Sequence, residues 1–137
     1  MKLIFIPLLL LVSFFAPGQS NIDPSKLPLV RYQPSIYVNG IDQRGTIRIK
    51  DVLEHGLQVV LGDKTFKVVQ FDLVYDCHSR AVFDFSVKRY SGNRVDPKDD
   101  YLQKRILVGD VITIDNTVIE KNGERYRMKD IGCDISN

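Results

Sequence analysis

The sequence predicts an all-β protein, a β-sandwich of seven to eight short strands with one short helix. Three observations carry that expectation. Short runs rich in Val, Ile, Phe, Tyr and Thr recur along the chain, separated by Gly, Asn and Asp turn signals. The longest of them, Thr65 to Lys88, alternates with period two, as half-buried strands do. Little of the chain carries a helical period.

That longest stretch, TFKVVQFDLVYDCHSRAVFDFSVK, reads as a central hairpin. Val69, Phe71, Leu73 and Tyr75 share one parity, and Ala81, Phe83, Phe85 and Val87 share it on the next run. Directly opposed residues of an antiparallel pair point to the same face. The two odd sets therefore join only across a loop of odd length, 76–78 or 76–80. This places Phe71 and Phe85 in the core, where truncation to Ala costs about 3–5 kcal/mol. Val68 and Asp84 fall on the outer parity, where it should cost far less.

The chain opens with MKLIFIPLLLLVSFFAPGQS, one cation at Lys2, an apolar run from Leu3 to Phe15, then small residues. That is the layout of a secretory signal peptide. The run is shorter than the roughly 20 residues needed to span a bilayer. Residues 1–20 are expected to be removed after Gly18 or Ser20, giving an exported chain, periplasmic or extracellular, with no membrane span once mature. Removal of Lys2 leaves 18 basic against 17 acidic side chains. A near-balanced surface is not the basic footprint of a nucleic-acid binder.

Residues 21–33 carry Pro24 and Pro28 and read as an extended lead-in; LPLVRY within it suits an edge strand. SIYVN, Ser35 to Asn39, is a short strand, and Asn39-Gly40 is a turn signal. Thr46–Lys50 alternates, with Ile47 and Ile49 inward. DVLEHG suits one helical turn stopped by Gly56, and in GLQVVLG Leu57, Val59 and Leu61 share a face. Asp96-Pro97 suits the start of a short helix through Arg105, burying Leu102, Ile106 and Leu107. VITIDNTVI is a β-branched strand, and Asn122-Gly123 is a two-residue hairpin turn. Tyr126 and Met128 lie on one parity and Ile131, Cys133 and Ile135 on the other, so a bulge is expected at Lys129-Asp130.

Chemistry-bearing residues are sparse. Cys77 and Cys133 are the two cysteines, and two thiols in an oxidising compartment usually pair. A Cys77–Cys133 disulfide closes a 56-residue loop and stabilises by about 4 kcal/mol in the chain-entropy picture. The other reading is two unlinked thiols, one buried as a small apolar side chain. His78 follows Cys77, but zinc needs three or four ligands, and the second histidine, His55, belongs to a different turn. Asp96, Asp99 and Asp100 lack the glycine-punctuated spacing of a calcium loop; their charges suit the positive end of a helix. No nucleophile elbow or phosphate loop is present. No catalytic, cofactor or metal residues are assigned, and the chain is expected not to be an enzyme.

The order of features in the second half is specific enough to compare. FDFSV is followed by Gly92-Asn93, a polar and helical stretch, Gly109-Asp110 with VITIDN, then Gly123 and a closing MKDIGCDIS. Gly45-Thr-Ile, DVLEHGL and the strand into Phe71 precede them. This resembles the C-terminal domain of the GldM/PorM family, the gliding-motility and type IX secretion proteins of Bacteroidota, over 34–137. The resemblance implies an immunoglobulin-like or related periplasmic β domain used for protein contacts in a secretion machine, with no catalytic residues. Family members resemble a membrane-anchored helix followed by several periplasmic domains; this chain reads as one domain behind a cleavable signal. The expected function is therefore a non-enzymatic protein-interaction domain of the cell envelope, its partner another envelope or secreted protein. The alternative is a secreted small-ligand binder or enzyme with a site built from loops near Asp99 and Asp110.

Overall fold

The computed structural model describes residues 22–77 and 85–137. The expected signal peptide and the hairpin positions His78, Ala81, Phe83 and Asp84 lie outside them. A 3-10 turn, Pro24–Lys26, comes first, capped by Asp23, whose Oδ1 accepts the Ser25 N–H at 3.0 Å. β1 (Ser35–Val38), β2 (Ile41–Gln43) and β3 (Thr46–Arg48) lead into α1 (Ile49–His55). β4 (Leu57–Val60), β5 (Lys67–Asp76), β6 (Phe85–Ser91) and β7 (Arg94–Val95) precede α2 (Asp100–Arg105). β8 (Val111–Lys121), β9 (Glu124–Arg127) and β10 (Ile131–Ser136) complete the described chain. β2 and β7 are additional to the expected strands, the last run is broken in two, and LPLVRY contributes one bridge at Leu29 instead of a strand, so the described strands number ten rather than seven or eight. Both helical stretches close as short α-helices where one helix and one turn were expected.

The strands form the two packed sheets of an all-β sandwich. One has the order β2-β1-β4-β7; the other has β3-β10-β8-β5-β6, with β9 also on β8. Every pairing between the described strands is antiparallel except β3 with β10. Ile36, Val38, Leu57, Val59 and Val95 of the smaller sheet meet Ile47, Phe71, Leu73, Ile112, Ile114 and Ile135 of the larger in one buried cluster. Asn39-Gly40 and Asn122-Gly123 make the two tight hairpin turns; all four residues have positive φ, which type I′ turns require. Gly56 ends α1 at φ 71°, and a Cβ there would lie 2.1 Å from the Val95 carbonyl oxygen. Only glycine fits that position.

Three neighbouring strands change face at one level. Val68 and Phe71, Ile114 and Ile119, and Met128 and Ile131 all contact the core although each pair mixes odd and even positions. Pairing holds on both sides of the change, Val68 opposite Ile119 and Leu73 opposite Ile114, because the strands slip together. Asn116, at φ 47°, marks the level on β8. The phase change at Lys129-Asp130 is thus present, between β9 and β10. On β5 it overturns one expectation: Val68 is in the core and Val69 is only half-buried.

The central pair, β5 and β6, differs more. Its register sets Tyr75 opposite Ser86 and Phe71 opposite Tyr90. Residues 77–84 separate the two strands, an even number, so odd positions of β5 face even positions of β6. Phe85 and Val87 therefore sit on the outer face, 68% and 50% exposed. The core placement of Phe85 is corrected, and Ser86, Lys88 and Tyr90 occupy the inner side. Two smaller corrections apply: Ile49 opens α1 instead of ending a strand, and Leu107 is exposed while Leu102 and Ile106 are buried.

Candidate functional site

The residues singled out by sequence are absorbed by the fold. No disulfide joins Cys77 and Cys133, and both are buried. Cys77 directly follows β5 and Cys133 lies on β10, with β8 between those two strands, and the fold does not contain the expected pairing. Burial pushes the Cys133 thiol up, which makes it a poor nucleophile. His55 ends α1 with Nε2 3.8 Å from Glu54, and His78 lies outside the described residues. Among the described residues no group of three or more His, Cys, Asp or Glu is placed to hold a metal ion. Among the same residues no helix is long and apolar enough to cross a membrane.

The aspartates are tied into structure. Asp96 Oδ1 accepts the Lys98 N–H at 2.8 Å. Asp99 caps α2: its Oδ1 accepts the Leu102 N–H at 3.0 Å and the Tyr90 hydroxyl at 2.8 Å, and Lys88 Nζ donates to Oδ2 at 2.8 Å. Burial opposes the Asp99 charge, yet those three donors outweigh it and hold the carboxyl below its ordinary value. Burial also pushes the Tyr90 phenol up, reinforced by the bond to Asp99. Asp110 is fully buried and accepts the Tyr75 hydroxyl. The two carboxylates expected near a loop-built site are thus engaged inside the fold.

Sequence reading missed a second polar group, on the outer side of β5. Arg89 Nε and a terminal nitrogen reach the two Asp72 oxygens at 2.8 and 3.1 Å, and Asn116 Nδ2 donates to Oδ2 at 3.0 Å. Gln70 Nε2 donates to the Ile22 carbonyl at 3.1 Å. Further along, the lead-in exchanges backbone bonds with Arg127, at 2.8 Å from Val30 and 2.9 Å to Pro28. This network straps the lead-in over part of the larger sheet. The rest of that face, toward Phe85 and Val87, shows half-buried Val74 opposite Val87 and, one strand further, half-buried Val111.

A cleft lies where the two sheets part at one end. β7 pairs with β4 only at Leu57 and Gln58, after which the Asn93 carbonyl accepts the Val59 N–H at 2.8 Å. β6 pairs with β5 from Gln70 onward, ending where Gly92 donates to the Val69 carbonyl at 2.7 Å. On those two sides, no strand among the described residues pairs with Val60–Leu61 or with Lys67–Val68. The space between the two edges is about 460 Å³, with Val59, Val60, Leu61, Phe66 and Val68 as apolar lining, Gln58 and Asn93 as polar lining, and Lys64 and Lys67 as its cations. Asp63 holds the adjoining loop, its Oδ1 accepting the Thr65 N–H and hydroxyl at 2.9 and 2.6 Å. Those bonds pull the Asp63 carboxyl below its ordinary value.

No family model matches the chain, and no curated protein matches it.

Proposed function

We infer that the chain is an exported, non-enzymatic β domain that works by binding another envelope or secreted protein. The observation carrying this reading is the outer face beside β6. An edge strand offers unpaired backbone groups, and here it also presents Phe85 and Val87, 68% and 50% exposed. Burying aromatic and branched side chains of that kind drives protein association. The signal-like residues 1–20 support export, and the resemblance to the C-terminal domain of the GldM/PorM family supports a periplasmic contact role. Within the same reading the partner belongs to the gliding-motility or type IX secretion machinery of a Bacteroidota cell.

The test is site-specific photo-crosslinking in the native host, with benzoylphenylalanine at Val87 and, as control, at exposed Lys129 on the far side of the sheet. The expected result is a discrete protein adduct from Val87 alone, recovered from the exported fraction. Mass spectrometry of the adduct decides the type IX assignment. No adduct, or the same adduct from both positions, overturns the reading.

A further inference from the structure

We propose that the cleft between the open edges of β4 and β5 binds the C-terminal end of an extended polypeptide, with its carboxylate facing Lys64 and Lys67. This site is separate from the β6 face and goes beyond the reading built on it. Two strand edges that face a common gap present backbone N–H and C=O groups in extended geometry, and the ligand that satisfies them is itself an extended backbone. The Val59 N–H is already taken by Asn93 and Val60 is turned to β1, so on the β4 edge it is Leu61 that faces the gap, with Lys67–Val68 ending the β5 edge opposite.

The connection from β4 to β5 and the Gly92-Asn93 turn both contribute to the lining, and the charge of that lining selects which part of an extended chain it takes. Lys64 and Lys67 line the cleft and no Asp or Glu does. The nearest acid in sequence, Asp63, is turned to Thr65 and to Lys121, 4.0 Å away. A carboxylate is therefore favoured there over an amino terminus. The lining of Val60, Leu61, Phe66 and Val68 calls for apolar side chains on the last residues of the ligand.

The probe is a synthetic hexapeptide library immobilised through its amino ends with free carboxyl termini. The best binders are then labelled and titrated by fluorescence polarisation in low salt. Three results are expected. Amidating the carboxyl end weakens binding at least about tenfold. The exposed-lysine variant Lys64→Ala/Lys67→Ala weakens it by a similar factor with unchanged melting, while Val87→Lys leaves it unchanged. Bound peptide shifts the backbone amide resonances of Val60, Leu61, Lys67 and Val68. A library with no binder tighter than about 1 mM overturns the proposal. So do binders indifferent to amidation, or resonance shifts confined to β6. Because Val87 is read separately, failure of the cleft leaves the β6 crosslink to stand or fall alone.

Discussion

Phe71→Ala set beside Phe85→Ala tests the register of the central pair. Both are phenylalanines on adjoining strands, and sequence parity treats them alike. In the fold Phe71 is fully buried and stacks on Tyr90 with ring centroids 5.5 Å apart and planes 20° from parallel. Emptying a buried aromatic position costs about 3–5 kcal/mol, the stacking contact included. Phe85 is 68% exposed, so its truncation should stay within about 0.5 kcal/mol. For a domain of this size, 3–5 kcal/mol lowers the melting temperature by about 10–25 °C. That is a large part of a total stability of about 5–15 kcal/mol. Urea titration followed by circular dichroism reads the difference, at an unchanged slope, as a midpoint drop of more than about 1 M for Phe71→Ala alone. Equal losses at the two positions would show that β6 pairs with odd residues inward, and the assignment of the outer face would fall with it.

Four further outcomes are expected. Arg89→Ala leaves the Asp72 carboxylate, 6% exposed in its side chain, without its guanidinium; a cost of about 3–5 kcal/mol is expected, and a double-mutant cycle with Asp72→Asn showing no coupling would refute the pairing. Gly56→Ala forces a Cβ to 2.1 Å from the Val95 carbonyl at φ +71° and should cost at least about 2 kcal/mol by thermal denaturation. Asp99 has its folded pKa below the unfolded value, so its stabilisation is present above about pH 4 and is lost as pH falls through the folded value. Asp99→Asn should flatten that acid limb of the urea midpoint, and an unaltered limb would assign it to other carboxylates. Finally, melting of the purified exported protein should be the same with and without dithiothreitol; a lower melting temperature in reductant, with an intact mass about 2 Da light before it, would reinstate a disulfide.

Most of the secondary structure was legible because it is written locally. Alternation placed Ile47, Leu57, Val59, Leu61, Phe71, Leu73 and Tyr75 inward, and all are buried. Asn39-Gly40 and Asn122-Gly123 announced their turns, and Gly56 announced the end of α1, since each meets a backbone demand within two or three residues. The face change at Lys129-Asp130 was visible as a break in parity. Its counterparts at Val68–Phe71 and Ile114–Ile119 were not read, although Asn116 at φ 47° marks one of them.

What local pattern leaves undetermined is the relation between strands. The inward face of β6 depends on the length of its connection to β5, and a change of one residue there exchanges Phe85 and Val87 with Ser86 and Lys88. Composition alone favours the phenylalanine inside; the observed pairing, with Lys88 and Tyr90 bonded to Asp99, turns it out. Likewise an even number of cysteines invites a bond, but the fold sets β8 between β5, which Cys77 follows, and β10, which carries Cys133. The cleft carries no sequence signature at all. Lys64 and Lys67 read as ordinary turn and strand-end lysines, and only sheet topology shows that β6 and β7 stop short and leave two edges open above them. A period along one strand records which side chains alternate; which strands lie beside one another, and where pairing ends, is set by contacts far apart in the chain.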